Sequence, residues 1–220
     1  MPIMKKLLLT TIVLVFTLSS VNSQDITFGA KAGINIANLD VTDANIDSRT
    51  SLHLGVTAEF EISDTFSIQP ELLYSAQGAS SSDTDDGTNV LGNPVRYDSE
   101  DKWKLNYIQI PIMAKFYVSE GLSLEAGPQI GFLASAEIDD DETETDLTTG
   151  VSSSTSTTVD AKEVVKSVDF GLNFGLGYKL DSGLNFALRY NLGLSNINDV
   201  SETDVKIKNR VFQLSVGYTF

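Results

Sequence analysis

The sequence predicts an all-β fold, an eight-stranded antiparallel up-and-down transmembrane β-barrel. Three observations carry this. Apolar residues alternate with small or polar ones at period two through eight separate segments, the pattern of strands with one face apolar and the other not. The links between segments alternate between short and long. The strands run to about 10–14 residues, twice the ~5–6 usual in globular sheets and right for tilted strands that cross a bilayer.

Taken in order, the chain of 220 residues opens on a stretch set apart from the fold. "MPIMKKLLLTTIVLVFTLSSVNSQ" has Lys5 and Lys6, an apolar run from Leu7 to about Leu18 and small residues before Ser23. That is the anatomy of a secretory signal peptide spanning residues 1–23, which leaves 24–220 as the barrel domain. Its loss removes two lysines and no acid, shifting the net charge of −15 to about −17. Such a chain does not bind nucleic acid by its charge. The absence of cysteine excludes disulfides and thiolate metal sites. No later apolar run is long enough for a helical membrane span.

The first strand, "ITFGAKAGINIA" (26–37), sets Ile26, Phe28, Ala30, Ala32, Ile34 and Ile36 against Thr27, Gly29, Lys31, Gly33 and Asn35. Segments at about 52–62, 66–77, 105–118, 122–135, 164–180, 184–195 and 209–220 repeat the alternation. "SDT" (63–65), "SEG" (119–121) and "DSG" (181–183) are hairpin loops, the last two with Gly where a positive φ is wanted. The remaining links, about 38–51, 78–104, 136–163 and 196–208, are long and polar. Within them "SSSDTDDGTN" (80–89) and "EIDDDETETDLTTGVSSSTSTT" (137–158) are acidic and of low complexity. They lack the spaced ligands of a calcium loop, and the composition predicts solvated, mobile surface loops.

Period two alone does not say which face meets solvent. Eight strands enclose a lumen barely wide enough for side chains, too narrow for the whole apolar set. The other face is rich in glycine, which suits a crowded interior. The apolar face is therefore expected to meet lipid, with aromatics in two belts. Phe28, Phe60, Phe66, Phe116, Tyr178, Phe186, Tyr218 and Phe220 fall near the short turns; Tyr74, Phe132, Phe170 and Phe212 fall near the long links.

A closed barrel has no edge, so the last strand must pair with the first. In ending on Phe220 after Phe212, Leu214, Val216 and Tyr218 at alternate positions, the chain resembles bacterial outer-membrane barrels. The resemblance implies that these five residues are read by the barrel-assembly machinery. "LNYIQIPIMAKFYV" (105–118), "GAKAGINIANL" (29–39) and "LSLEAGPQIGF" (122–132) are similar to the porin-family, PorT-like barrels of Bacteroidota, small barrels of the OmpA/OmpX type. This implies the cell outer membrane as location and its lipid as partner, and leaves the activity open.

On the inward face lie Lys31, Glu59, Glu61, Glu71, Lys115, Glu125, Lys179 and Arg189. All fall in the half of the lumen nearer the short turns. Buried charges must be paired or wetted, and Lys115 is placed to face Glu125 across "SEG". A salt-bridged plug built on Lys31, Glu59, Glu71, Lys115, Glu125 and Arg189 is the expectation. An ion-conducting pore is the alternative. The only histidine, His53, is placed at the outer rim with Ser51 as its nearest hydroxyl. A lipid-modifying enzyme would need a third member that nothing in the sequence supplies. The residues thus predict no catalytic, cofactor-binding or metal-binding set. Three roles remain: envelope structure or surface interaction of a monomeric barrel through its acidic loops, with an unidentified surface partner; a narrow pore or secretion-apparatus component; and a lipid-modifying enzyme.

Overall fold

The computed structural model describes residues 26–42, 46–89, 92–200 and 204–220. The expected signal peptide lies outside them. Nine strands follow one another: β1 (Ile26–Val41), β2 (Asp47–Ser63), β3 (Phe66–Thr88), β4 (Pro94–Ser119), β5 (Leu122–Asp146), β6 (Ser152–Asp160), β7 (Val168–Lys179), β8 (Leu184–Gly193) and β9 (Ile207–Thr219). Every neighbouring pair is antiparallel. β1 pairs with both β2 and β9, and β4 with β5, so eight strands close into the ring β1-β2-β3-β4-β5-β7-β8-β9. The ninth, β6, stands outside it.

Period two sorts the side chains in the expected sense. Ile34, Leu54, Leu72, Ile112, Leu176 and Leu214 lie exposed on the outer wall, while Lys31, Asn35, Gln109, Asn173 and Arg189 are buried inside. An apolar wall around a polar interior suits hydrocarbon outside, and the closed ring leaves no backbone edge for lipid to meet. Gly121 and Gly183 hold φ of 77° and 87° in the short turns, as the turn chemistry requires. At the seam, Ile36, Ile34, Ala32 and Ala30 pair with Phe212, Leu214, Val216 and Tyr218. The Phe220 amide then donates to the Phe28 carbonyl at 2.8 Å.

Two of the expected loops are not loops. Residues 78–88 and 94–104 continue β3 and β4, residues 136–146 continue β5, and β6 pairs with that continuation from Glu137–Asp160 to Thr145–Ser152. A four-stranded sheet therefore stands beyond the ring. β4 has 26 residues where ~9–11 suffice to cross a bilayer, and the part of it beyond the ring, 94–104, amounts to roughly 35 Å of strand. The expectation of mobile loops fails because Ser, Thr and Asp composition reports polarity, whereas these segments gain order by extending ladders already registered in the wall. The link expected at 38–51 also shrinks, since β1 runs to Val41 and β2 begins at Asp47.

The passage from ring to sheet is marked on two strands. Gly78 of β3 has φ 124°, and a Cβ there would strike the Trp103 carbonyl. On β5 the register slips between Tyr107–Leu133 and Asn106–Ser135, a bulge at Ala134. Just there β5 exchanges partners, from β7 below to β6 above.

Candidate functional site: the lumen and the protruding sheet

Inward residues of the lower strands, toward the short turns, form one ion-paired cluster. Arg189 on β8 reaches straight across the ring to β3, four strands away by either route. Its two terminal nitrogens donate to the two Glu71 oxygens at 2.9 Å each, a bidentate pair. Arg189 also binds Glu125 at 3.2 Å, and Lys31 binds Glu71 at 3.1 Å. Lys115 sits 3.4 Å from Glu59 and 3.8 Å from Glu125. All six groups predicted for the network are buried, and three cations against three carboxylates leave it neutral.

The structure changes details of that expectation. Lys115 and Glu125 are direct cross-strand partners, yet Glu59 lies nearer to the lysine. Glu61 is exposed at the short-turn rim, and neither it nor Lys179 joins an ion pair among the described residues. Ser67, Gln69 and Tyr117 were not anticipated. Ser67 and Tyr117 donate to Glu59, and Gln69 donates to Glu71 at 2.8 Å while accepting from Lys115 at 3.1 Å. Their sequence signal was their place on the same period-two face as Glu71 and Lys115. Gly177 serves this crowding, because a Cβ there would collide with the Glu125 carboxylate and lie 2.6 Å from Ser123 Oγ. What space remains is a cavity of ≈ 30 Å³ bordered by Lys31, Lys115 and Arg189, room for about one water.

Above the charges lies a neutral hydrogen-bonded layer. His53 is 1% exposed, within the lumen and not at the outer rim as expected. Its Nδ1 meets Asn35 Oδ1 and its Nε2 meets Ser215 Oγ, both at 2.8 Å. Ser51 is turned elsewhere and donates to the Ala76 carbonyl at 2.6 Å. The Asn–His–Ser order resembles a nucleophile with its base and orienting group, but Ser215 borders the ≈ 30 Å³ space, which is too small for an acyl chain. The arrangement ties β1, β2 and β9 together.

Higher still most of the lumen is apolar, with one buried acid, Asp169, accepting from Ser195 and Asn209. Leu39, Ala79, Leu105, Tyr107, Leu133 and Ile197 pack into one buried cluster over the polar layer. Leu39, Ala79, Leu105, Tyr107 and Leu133 occupy strand positions that alternation assigns to the polar face, and Ile197 comes from the link between β8 and β9, so the sequence conceals the seal.

The protruding sheet has two unlike faces. Register places Arg96, Lys102 and Lys104 on one face with Asp86, Asp98, Glu100, Glu137, Asp139, Asp141 and Asp160. Lys104 pairs with Asp139, Lys102 with Glu100 at 2.8 Å and Asp141 at 3.4 Å, and Arg96 with Asp86 at 2.9 Å. The hydrogen bond from Lys104 holds the Asp139 carboxyl below its ordinary range, as Arg96 does for Asp86. The other face carries Asp83, Asp85, Asp101, Asp140, Glu142, Glu144 and Asp146 and no cation. β6, "SSSTSTTVD", forms the outer edge with every residue exposed.

The model of a family described as outer membrane protein beta-barrel domain matches residues 22–199. No curated protein matches the sequence. Among solved structures the chain is similar to Ail, the attachment invasion locus protein of Yersinia pestis, with 13% identity, 88% of this chain and 98% of that chain covered and a TM-score of 0.46. It is likewise similar to Neisserial surface protein A, at 13% identity over 89% of this chain and 99% of that chain with a TM-score of 0.49. CarO2 of Acinetobacter baumannii gives 13% identity, 90% and 100% coverage and a TM-score of 0.40.

Proposed function

The chain belongs to the outer membrane protein β-barrel domain family and lies in the outer membrane, and from that premise we propose that it works as a surface-interaction protein. The barrel is a fixed mount, and the acidic sheet formed by β3, β4, β5 and β6 is the part presented outside the cell. The observation that carries this reading is the sheet itself, ordered, continuous with the wall and strongly anionic on both faces. The lumen supports it from the other side. A neutral ion-paired layer with ≈ 30 Å³ of free space under an apolar seal suits a closed body better than a pore.

On this reading residues 1–23 are a signal peptide, the short turns face the periplasm, and the monomeric barrel is inserted by the assembly machinery through its last strand. The PorT-like resemblance belongs with this proposal as its family context. Phe220→Asp should lower the folded amount in the membrane far more than Thr219→Asn; equal folded amounts would refute the role of the terminus.

The decisive experiment is complementation of a deletion strain. A barrel trimmed of residues 81–100 and 140–157 should restore envelope integrity but not attachment of the cells to surfaces or other cells. If the trimmed chain restores attachment fully, the sheet has no such role. Steady conductance of the purified barrel in a planar bilayer would instead favour the pore.

A further inference from the structure

At the outer end of the barrel one space differs in chemistry from the rest. A cavity of ≈ 130 Å³ lies between the root of the protruding sheet, the short 3-10 turn Lys162–Val164 and the β8–β9 loop. Leu105, Val165 and Ile197 border it from the buried side, with Trp103 and Ile207 between them and the outside. Val164 and Val200, 38% and 49% exposed, stand at its outer margin.

The single polar residue at this cavity, Asn198, is already committed. Its Nδ2 donates to the Val205 carbonyl at 2.8 Å and its Oδ1 accepts from the Val200 amide at 3.1 Å. A buried water needs two to four polar partners, whereas apolar cavities of about 150 Å³ stay dry and take up benzene or xenon. Lys166, Lys206, Glu163 and Asp199, chain neighbours of the lining residues, are all exposed and balance in charge. Nothing there selects a charged head group.

We propose that this cavity binds a small uncharged apolar molecule, a single aromatic ring or a short alkyl group, entering from the outer side. The ligand would rest against Trp103 and cap the apolar seal. The site is independent of the ion pairs below and of any partner of the sheet.

Trp103 is the only tryptophan in the chain, so its fluorescence reports occupancy. Bromobenzene, titrated into the folded barrel in detergent micelles, should quench Trp103 along a saturating curve. Half-saturation on the order of 1 mM is expected for a ligand with so few heavy atoms. Val165→Phe and Val200→Phe fill the cavity from its inner and outer sides. Either variant, checked for folding by its shifted gel migration, should show only the shallow linear quenching of a probe dissolved in the micelle. Linear quenching of the unmodified protein, equal to that of a folded variant, would overturn the proposal. So would saturable quenching by a detergent brominated in its tail with none by bromobenzene, which would assign the cavity to a lipid chain.

Discussion

The lower lumen and the paired face of the protruding sheet use the same ingredients, lysine and arginine set among aspartate and glutamate, and differ chiefly in access to water. Around Arg189 the groups are sealed from solvent, and each charge depends on one or two partners within the lumen. Around Lys102 both partners are open to water, which would solvate either one if the other were lost. Pairs of the first kind are costly to break from one side, whereas exposed pairs contribute little. The lesson is one of tolerance. The barrel interior resists substitution, and the sheet is free to vary in sequence while keeping its shape.

The most damaging test of this contrast is Arg189→Met. It strands Glu71 beside a single lysine and Glu125 beside a lysine 3.8 Å away. The folded barrel should lose about 3–5 kcal/mol against urea in lipid vesicles, with recovery of much of the loss in Arg189→Met combined with Glu71→Met. A loss no larger than that of an exposed pair would erase the distinction between the two regions.

Lys115→Ala comes next, at about 3 kcal/mol, the lower end of the same range. Because Glu59 is nearer to Lys115 than Glu125 is, and Glu125 retains Arg189, Glu59→Gln should rescue Lys115→Ala better than Glu125→Gln does. The opposite ranking would restore the simple cross-strand pair read from the sequence.

Removing the exposed charge, in Lys102→Ala, should leave urea stability within experimental scatter. Only hydrogen exchange near the sheet root, where Lys102 pairs, should respond, and a global loss would show that the sheet helps to hold the ring. The smallest effect is set by pH. Asp139 is held below its ordinary value by Lys104, so the benefit of that pair is complete above ~pH 4 and is lost as pH falls through the lower folded-state value. Any difference in exchange at the sheet root between the unmodified protein and Lys104→Gln should therefore be present at about pH 6 and should shrink as the pH falls below ~4. A difference that persists in acid would mean that Lys104 acts by packing.

Much of this was legible in the sequence. Alternation identified the eight ring strands, lumen size and the glycine-rich face indicated their lipid side, and the turn residues marked the three short hairpins, two of them with a glycine. It found all six charged members of the network. It could not pair them, because Arg189 and Glu71 meet across the lumen from opposite walls, a relation that neither chain spacing nor strand adjacency encodes. Leu105, Tyr107 and Leu133 were hidden for a related reason: apolar residues on the polar face are invisible to a test that looks for alternation. The sheet was missed because its order lies in register with neighbouring strands and not in composition. His53 was misplaced because its partners, Asn35 and Ser215, come from strands at the two ends of the chain.

The continuity of β3, β4 and β5 from wall to tip has a mechanical consequence. A tether attached to a flexible loop would slacken and swing, and pulling on it would open the nearest hairpin one rung at a time. Here a tug on the tip acts along strands that are themselves staves of the barrel, so their hydrogen bonds are strained in parallel and must yield together. The protruding sheet should behave as a stiff mast stepped through the membrane, and single-molecule pulling on residues 147–150 should show one high-force rupture. A ladder of small ones would mean that tip and barrel are mechanically separate.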